Sequence, residues 1–157
     1  FASMTLAENI ALVLEKYTDL SEDKIEKIIE VKLDAVGLNG FQDFLPSEIS
    51  GGMKKRAAFA RSMALDPDVL FFDEPSSGLD PVTSASIDEL IKRVNLGLNT
   101  TMVIVTHDLA SILSVSHRII MLDKLEKGII ASGSPEELKN SPDQRVYNFF
   151  NRLSESN

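Results

Sequence analysis

The segment Val69-Leu70-Phe71-Phe72-Asp73-Glu74-Pro75 runs four large apolar residues into two carboxylates and a proline. An apolar run this short, with Asp66-Pro67 before it and Pro75 after it, predicts a strand covered on both faces. A second such run is Thr101-Met102-Val103-Ile104-Val105. Between them, Asp80-Pro81 opens a helix with the Asp as cap and Pro at the first helical position, and Ile87, Leu90, Ile91 and Val94 form its inner stripe. Buried strands alternating with helices predict an α/β domain with a mostly parallel sheet. Ligands of such sheets bind beyond the carboxyl ends of the strands. The candidate chemistry therefore sits at Asp73-Glu74 and at Thr106-His107.

Residues 1–50 read as helical. Leu6, Ile10, Val13 and Leu14 share one helix face. A second helix starts at Ser21 as N-cap, with Glu22 and Asp23 in the first turn and Leu20 placed to staple onto Ile25. Its apolar face is Ile25, Ile28, Ile29, Leu33 and Val36, and Gly37 stands where a left-handed cap belongs. Gly40 to Pro46 is a connector. A third helix runs from about Gly52 to Leu65. Beyond the second strand, Asp108 caps a short helix to Leu113. Arg118–Leu122 and Gly128–Ala131 are strands joined by a polar turn. Ser134-Pro135-Glu136-Glu137 and Ser141-Pro142-Asp143-Gln144 both match a capping box, and the last helix presents Val146, Phe149, Phe150 and Leu153.

The composition narrows the chemistry. The chain has 157 residues, 43% of them hydrophobic and 25% charged, enough to bury a core. Its 24 acidic and 16 basic residues give a formal charge of −8, which argues against a nucleic-acid surface. Residues 1–50 hold most of that excess. The chain has no cysteine, so thiol catalysis and disulfides are excluded, and its two histidines cannot build a His-rich metal site. No apolar run approaches the ~20 residues that span a bilayer. The N-terminus shows no signal peptide, and Phe1 is not an initiator Met.

Two adjacent carboxylates at the mouth of a buried strand cost desolvation energy unless they serve a cation or a proton transfer. Asp73 can face Mg²⁺ and Glu74 a water attacking a phosphate; the alternative is a solvated acidic turn. Ser50-Gly51-Gly52 precedes a helix whose next cations are Lys54, Lys55 and Arg56. Glycines permit close backbone approach, and amides at a helix start form an anion site; a plain loop followed by a basic patch is the alternative, as is a structural pairing of Arg56 with a nearby acid. His107 can hold a phosphate oxygen or be a loop histidine. Asp80 has a sufficient structural role as N-cap.

Taken in order, Ile49-Ser50-Gly51-Gly52-Met53, Val69–Pro75, Ser77-Gly78-Leu79-Asp80 and His107 resemble the signature motif, Walker B motif with catalytic Glu, D-loop and switch His of the ATP-binding cassette (ABC) ATPase family. The resemblance covers essentially the whole chain. It implies a partial P-loop NTPase (RecA-like) α/β fold: a helical subdomain at 1–50, a core α/β part at 51–133 and C-terminal helices at 134–157. It implies that Asp73 holds Mg²⁺, that Glu74 is the general base, and that His107 contacts the γ-phosphate of ATP and the water. Ser50, Gly51 and Gly52 would bind the γ-phosphate of a nucleotide held mainly by an opposite subunit, with Asp80 working across that interface of a homodimer. Met53 replaces the family's usual Gln, at the cost of one polar contact.

No G-x-x-x-x-G-K-[ST] phosphate loop occurs in these residues, and neither Gln42 nor Gln144 follows a buried strand as a Q-loop would. The expectation is a C-terminal part of an ABC ATPase, beginning just after the Q-loop and without the phosphate-loop strand. The 157 residues alone would be catalytically silent, with apolar strand edges open to misassembly or to pairing with another chain. Ser-Gly-Gly-Met together with Ser141–Val146 resembles the ATPases of Mla/Mce-type (toluene-tolerance-like) phospholipid transporters. This implies a cytoplasmic subunit, peripheral on the inner membrane, that powers transport through separate transmembrane permease subunits. Competing readings are a non-transport ABC ATPase, disfavoured by the lack of long heptad runs, and a cassette that only binds partners.

Overall fold

The computed structural model describes residues 1–153, which divide into two compact units, residues 1–105 and 106–153.

In the first unit, helix α1 (Leu6–Tyr17) starts in a full capping box: the Thr5 side chain accepts from the Glu8 amide, and the Glu8 carboxylate accepts from the Thr5 amide. Helix α2 spans Glu22–Ala35. Ser21 is its N-cap residue by backbone, although its side chain makes no capping hydrogen bond. The helix closes as the sequence predicts. Gly37 adopts φ +71°, its amide reaches the Asp34 carbonyl (2.8 Å), and the Leu38 amide reaches the Leu33 carbonyl (2.8 Å). This pair of bonds satisfies carbonyls that a helix end otherwise leaves orphaned, and Leu33 and Leu38 on either side of the turn are both buried.

Helix α3 (Gly51–Ser62) is shorter than its apolar pattern suggests. Met63 caps it, Leu65 is exposed, and Asp66 turns the chain with φ +47° while pairing with the buried Lys32 ammonium of α2. Helices α1, α2 and α3 pack on one another through Leu6, Ile10, Leu14, Ile25, Ile29, Leu33 and Phe59, all buried. Each such side chain contributes about 1.5–3 kcal/mol by leaving water.

Strands β1 (Val69–Asp73) and β2 (Thr101–Val105) pair in parallel, in register from Val69 opposite Thr101 to Asp73 opposite Val105. Helix α4 (Pro81–Leu98) makes the crossover, capped at its end by Asn99 in the left-handed region. The prediction of strands covered on both faces does not hold. Leu70 is buried and Phe72 stacks on Phe59 of α3, with ring centroids 4.7 Å apart. On the alternate face, Phe71 is 76% exposed and Val105 60%. Side chains alternate along a strand, and within this unit α3 covers one side of the pair.

In the second unit, α5 (Leu109–Val115) precedes an antiparallel hairpin of β3 (Ile119–Asp123) and β4 (Gly128–Gly133), then α6 (Pro135–Lys139) and α7 (Gln144–Asn151). Its core is Ile112, Leu138, Val146 and Phe150, with Phe149 packed against it. The Ser134 capping box forms as predicted. The Ser141 box does not: Asp143 caps α7 by accepting from the Arg145 amide, and Ser141 accepts from the Asp143 amide instead. Leu153 lies past the end of α7 and is half exposed, so it is no part of the inner stripe. The two strand pairs are separate sheets, one parallel and one antiparallel.

Candidate functional site

Asp73 is the last residue of β1 and is exposed. Glu74 follows it in the left-handed region, φ +47°. An L-residue pays about 1–2 kcal/mol there, and a residue that precedes a proline is restricted further. The chain holds Glu74 by its backbone: its amide donates to the Val105 carbonyl (2.9 Å), and its carbonyl accepts from the Ser77 amide (3.2 Å) and from Lys55 Nζ (3.2 Å). The turn continues through Gly78, φ +78°, to Asp80.

Asp80 caps α4 with one carboxylate oxygen accepting from the Val82 and Thr83 amides, each at 3.0 Å, and the other from the Thr83 hydroxyl. The Thr83 hydroxyl first, and then its amide, hold the Asp80 carboxyl below its ordinary value. The sequence-level reading of Asp80 as a cap is thus realised.

Ser50 is the N-cap of α3, its Oγ accepting from the Met53 amide at 3.2 Å. Gly51 and Gly52 form the first helical positions. A Cβ on Gly51 would meet Leu79 at 3.6 Å, and one on Gly52 would sit 2.6 Å from Thr83 Cγ2. The structure therefore sets Gly51 and Gly52 against Leu79 and Thr83, which flank Asp80. A side chain at Gly52 would require Thr83 to shift.

The basic triplet after the glycines is divided. Lys54 is exposed. Lys55 reaches the Glu74 carbonyl, and Arg56 donates to the Val36 carbonyl at the end of α2 (2.8 Å) and to Ser86 Oγ of α4 (3.2 Å). Lys55 and Arg56 thus bind carbonyls of their own chain. Neither role is visible in sequence, since each partner lies about twenty or more positions away.

His107 lies in the second unit, exposed, in the short segment between β2 and the α5 cap Asp108. Asp108 accepts from the Ala110 amide at 3.0 Å. Among the described residues no three His, Asp or Glu side chains converge as a metal cage. Asp73 offers a single carboxylate at a strand end. That suits Mg²⁺, which keeps several waters and takes one or two carboxylates beside substrate phosphates.

A family model described as "ABC transporter" matches residues 1–77. The chain is 42% identical over 150 residues to the intermembrane phospholipid transport system ATP-binding protein MlaF of Haemophilus influenzae, covering 96% of this chain and 56% of that protein. It is 40% identical over 156 residues to MlaF of Escherichia coli K12, covering 99% and 57%. It is also 40% identical over 151 residues to the probable ribonucleotide transport ATP-binding protein mkl of Mycobacterium leprae, covering 96% and 43%. The chain spans about half the length of the curated relatives it matches. With its signature-like helix start, its acidic strand end and these likenesses together, the chain is similar to the ABC transporter family and, within it, to the MlaF-type ATP-binding proteins.

Proposed function

We propose that this chain carries the signature helix, Walker B strand, D-loop and switch histidine of an ATP-hydrolysing ABC transporter subunit. The observation that carries the reading is the carboxylate pair at the end of β1, with Glu74 pinned by its backbone just beyond the strand. This is where ligands of parallel sheets bind.

In this reading Glu74 takes the proton from a water as its oxygen bonds to the γ-phosphorus and the bond to the ADP oxygen breaks. His107 orients the γ-phosphate and the water. Asp73 would hold Mg²⁺, which when bound neutralises charge on the phosphates. Ser50 and the amides of Gly51 and Gly52 would grip the γ-phosphate of a nucleotide seated mainly on a second copy, and Asp80 would act across that dimer interface. The helix start supplies donors suited to an anion.

The cassette divides functionally into residues 1–50 as the helical, partner-facing region, 51–133 as the catalytic core part, and 134–157 as C-terminal helices. The acidic charge of residues 1–50 suits permease subunits with basic loops. No described helix is long and apolar enough to cross a membrane, in keeping with a subunit held peripherally by such partners on the cytoplasmic face. The relatives' names give phospholipid in one case and ribonucleotide in another; phospholipid is the reading favoured here, by the more similar relatives. No nucleic-acid partner is proposed. These 157 residues contain no phosphate-loop motif, so alone they would not turn ATP over.

The test is Glu74→Gln in the full-length protein. ATP binding should persist while hydrolysis falls about 100-fold or more, as for loss of a general base. Parental turnover in that variant would remove Glu74 from the role.

A further inference from the structure

We infer that Lys55 is a positioning residue for hydrolysis, fixing Glu74 through its main chain. The inference rests on the general-base reading of Glu74 and extends it to a side chain on a different element.

Glu74 occupies a backbone conformation that its own chirality and the following Pro75 both disfavour. Such an outlier persists only where surrounding bonds over-determine it. Two of the bonds on Glu74 are local to the sheet and turn, from its amide to Val105 and to its carbonyl from Ser77. Another is not local. Lys55 projects from the second turn of α3, nineteen positions earlier, and puts its ammonium 3.2 Å from the Glu74 carbonyl oxygen. A hydrogen bond from a charged donor is among the stronger ones a carbonyl accepts, and here it opposes the conformational cost of the turn.

The geometry of the side chain follows from that of its peptide. If the Glu74 carbonyl swings toward an ordinary extended conformation, its Cα–Cβ bond turns away from the strand end with it. A misplacement of about 1 Å at a reacting group can cost up to about 100-fold in rate. Lys55 touches no reacting atom in this arrangement, and it is one helical turn from the Ser50-capped end of α3. It therefore ties the helix start that faces one nucleotide to the carboxylate that acts on another. Lys54, exposed and one position earlier, has no such tether and serves as the control.

The experiment uses the full-length ATPase and compares Lys55→Met, Lys55→Arg, Lys54→Met and Glu74→Gln, with Lys55→Met also built on Glu74→Gln. Lys55→Met should lower kcat about tenfold with KM for ATP changed less than twofold, and Lys55→Arg, which keeps a charged donor, should recover most of the loss. Lys54→Met should keep parental kcat. On the Glu74→Gln background, single-turnover hydrolysis should show no further loss from Lys55→Met, because its effect passes through the same carboxylate. Parental kcat in Lys55→Met, or an equal fold-loss on both backgrounds, overturns the inference. If Lys55→Met does not fold, Lys55→Gln reads the same tether, and parental kcat there overturns it as well. Parental turnover in Glu74→Gln strikes the general-base reading itself and brings this inference down with it.

Discussion

Thr83 and Gly52 meet where helices α3 and α4 begin, so closely that a Cβ on the glycine would lie 2.6 Å from the threonine methyl. The same Thr83 gives its hydroxyl and amide to the Asp80 carboxylate. One side chain thus sets the spacing of two helix starts and helps keep the Asp80 carboxyl ionised by hydrogen bonding to its charged form. Two motifs that are almost thirty positions apart in sequence become one packed unit.

Gly52→Ala sets two effects against each other. Alanine gains about 1 kcal/mol of helix preference over glycine, while overpacking a tight contact costs about 1–3 kcal/mol. At 2.6 Å the clash should win, for a net loss of about 1–2 kcal/mol in denaturant unfolding. Thr83→Ser removes the methyl and keeps the hydroxyl for Asp80, so the double variant Gly52→Ala/Thr83→Ser should regain most of that loss. No recovery in the double variant would mean that the contact does not decide the cost.

Ser50 allows its capping and its ligand role to be separated. Ser50→Ala removes the acceptor for the Met53 amide and should cost about 1 kcal/mol of stability. Ser50→Asp can still cap, and its charge suits a helix start, so stability should be kept or slightly raised. A carboxylate would nevertheless repel a γ-phosphate. ATP-driven dimer formation by the full-length protein, followed by light scattering, should therefore fail in Ser50→Asp and survive better in Ser50→Ala. Equal dimer yield in Ser50→Asp and the parent would show that this helix end grips no anion.

Arg56 spans three helices with one guanidinium, reaching Val36 of α2 and Ser86 of α4 from its place on α3. Arg56→Lys keeps the charge and loses the planar fork, so it should be nearly as damaging as Arg56→Ala. Either change should cost about 1–3 kcal/mol through an under-satisfied carbonyl and lost packing, and should speed hydrogen exchange of amides near the C-terminus of α2. Full recovery with lysine would show that charge alone suffices.

Much of the frame is legible in the sequence because it is encoded locally. The Ser134 and Asp80 caps, the Gly37 turn and the alternation of β1, α4 and β2 each depend on residues within a few positions. The strand ends that bear Asp73 and Glu74 follow from the same local pattern. What escapes is long-range. Val69–Phe72 is apolar throughout, so its pattern cannot reveal that only the Leu70 and Phe72 side is covered within the unit. Lys55 and Arg56 look like a basic patch awaiting an anion, and only the fold brings carbonyls to them. At α7 two local signals compete. Ser141-Pro142 reads as a capping box, but the charged Asp143 carboxylate is the stronger acceptor and caps the helix.

That Asp143–Arg145 pair makes the second unit's stability depend on pH. Arg145 holds the Asp143 carboxyl down at about 2, chiefly by donating to it directly, 2.8 Å from Nη2. Arg145 also faces Asp123 at 3.6 Å and Glu126 at 3.4 Å. Because the folded value lies below the ordinary 3.8, the stabilisation is fully present above that ordinary value. It is lost as pH falls through the folded value. Asp143→Asn retains a capping side chain but removes the charge, so it should melt below the parent at pH 6. The gap should narrow between about pH 4 and pH 2, where the parent's own carboxyl becomes protonated. Asp123 and Glu126 are present in both proteins, so the difference between the two melting curves isolates Asp143. The pair is partly exposed, so added salt should shrink the pH 6 gap as well. A gap that stays constant from pH 6 to pH 2 would assign the loss to the cap rather than to the ion pair.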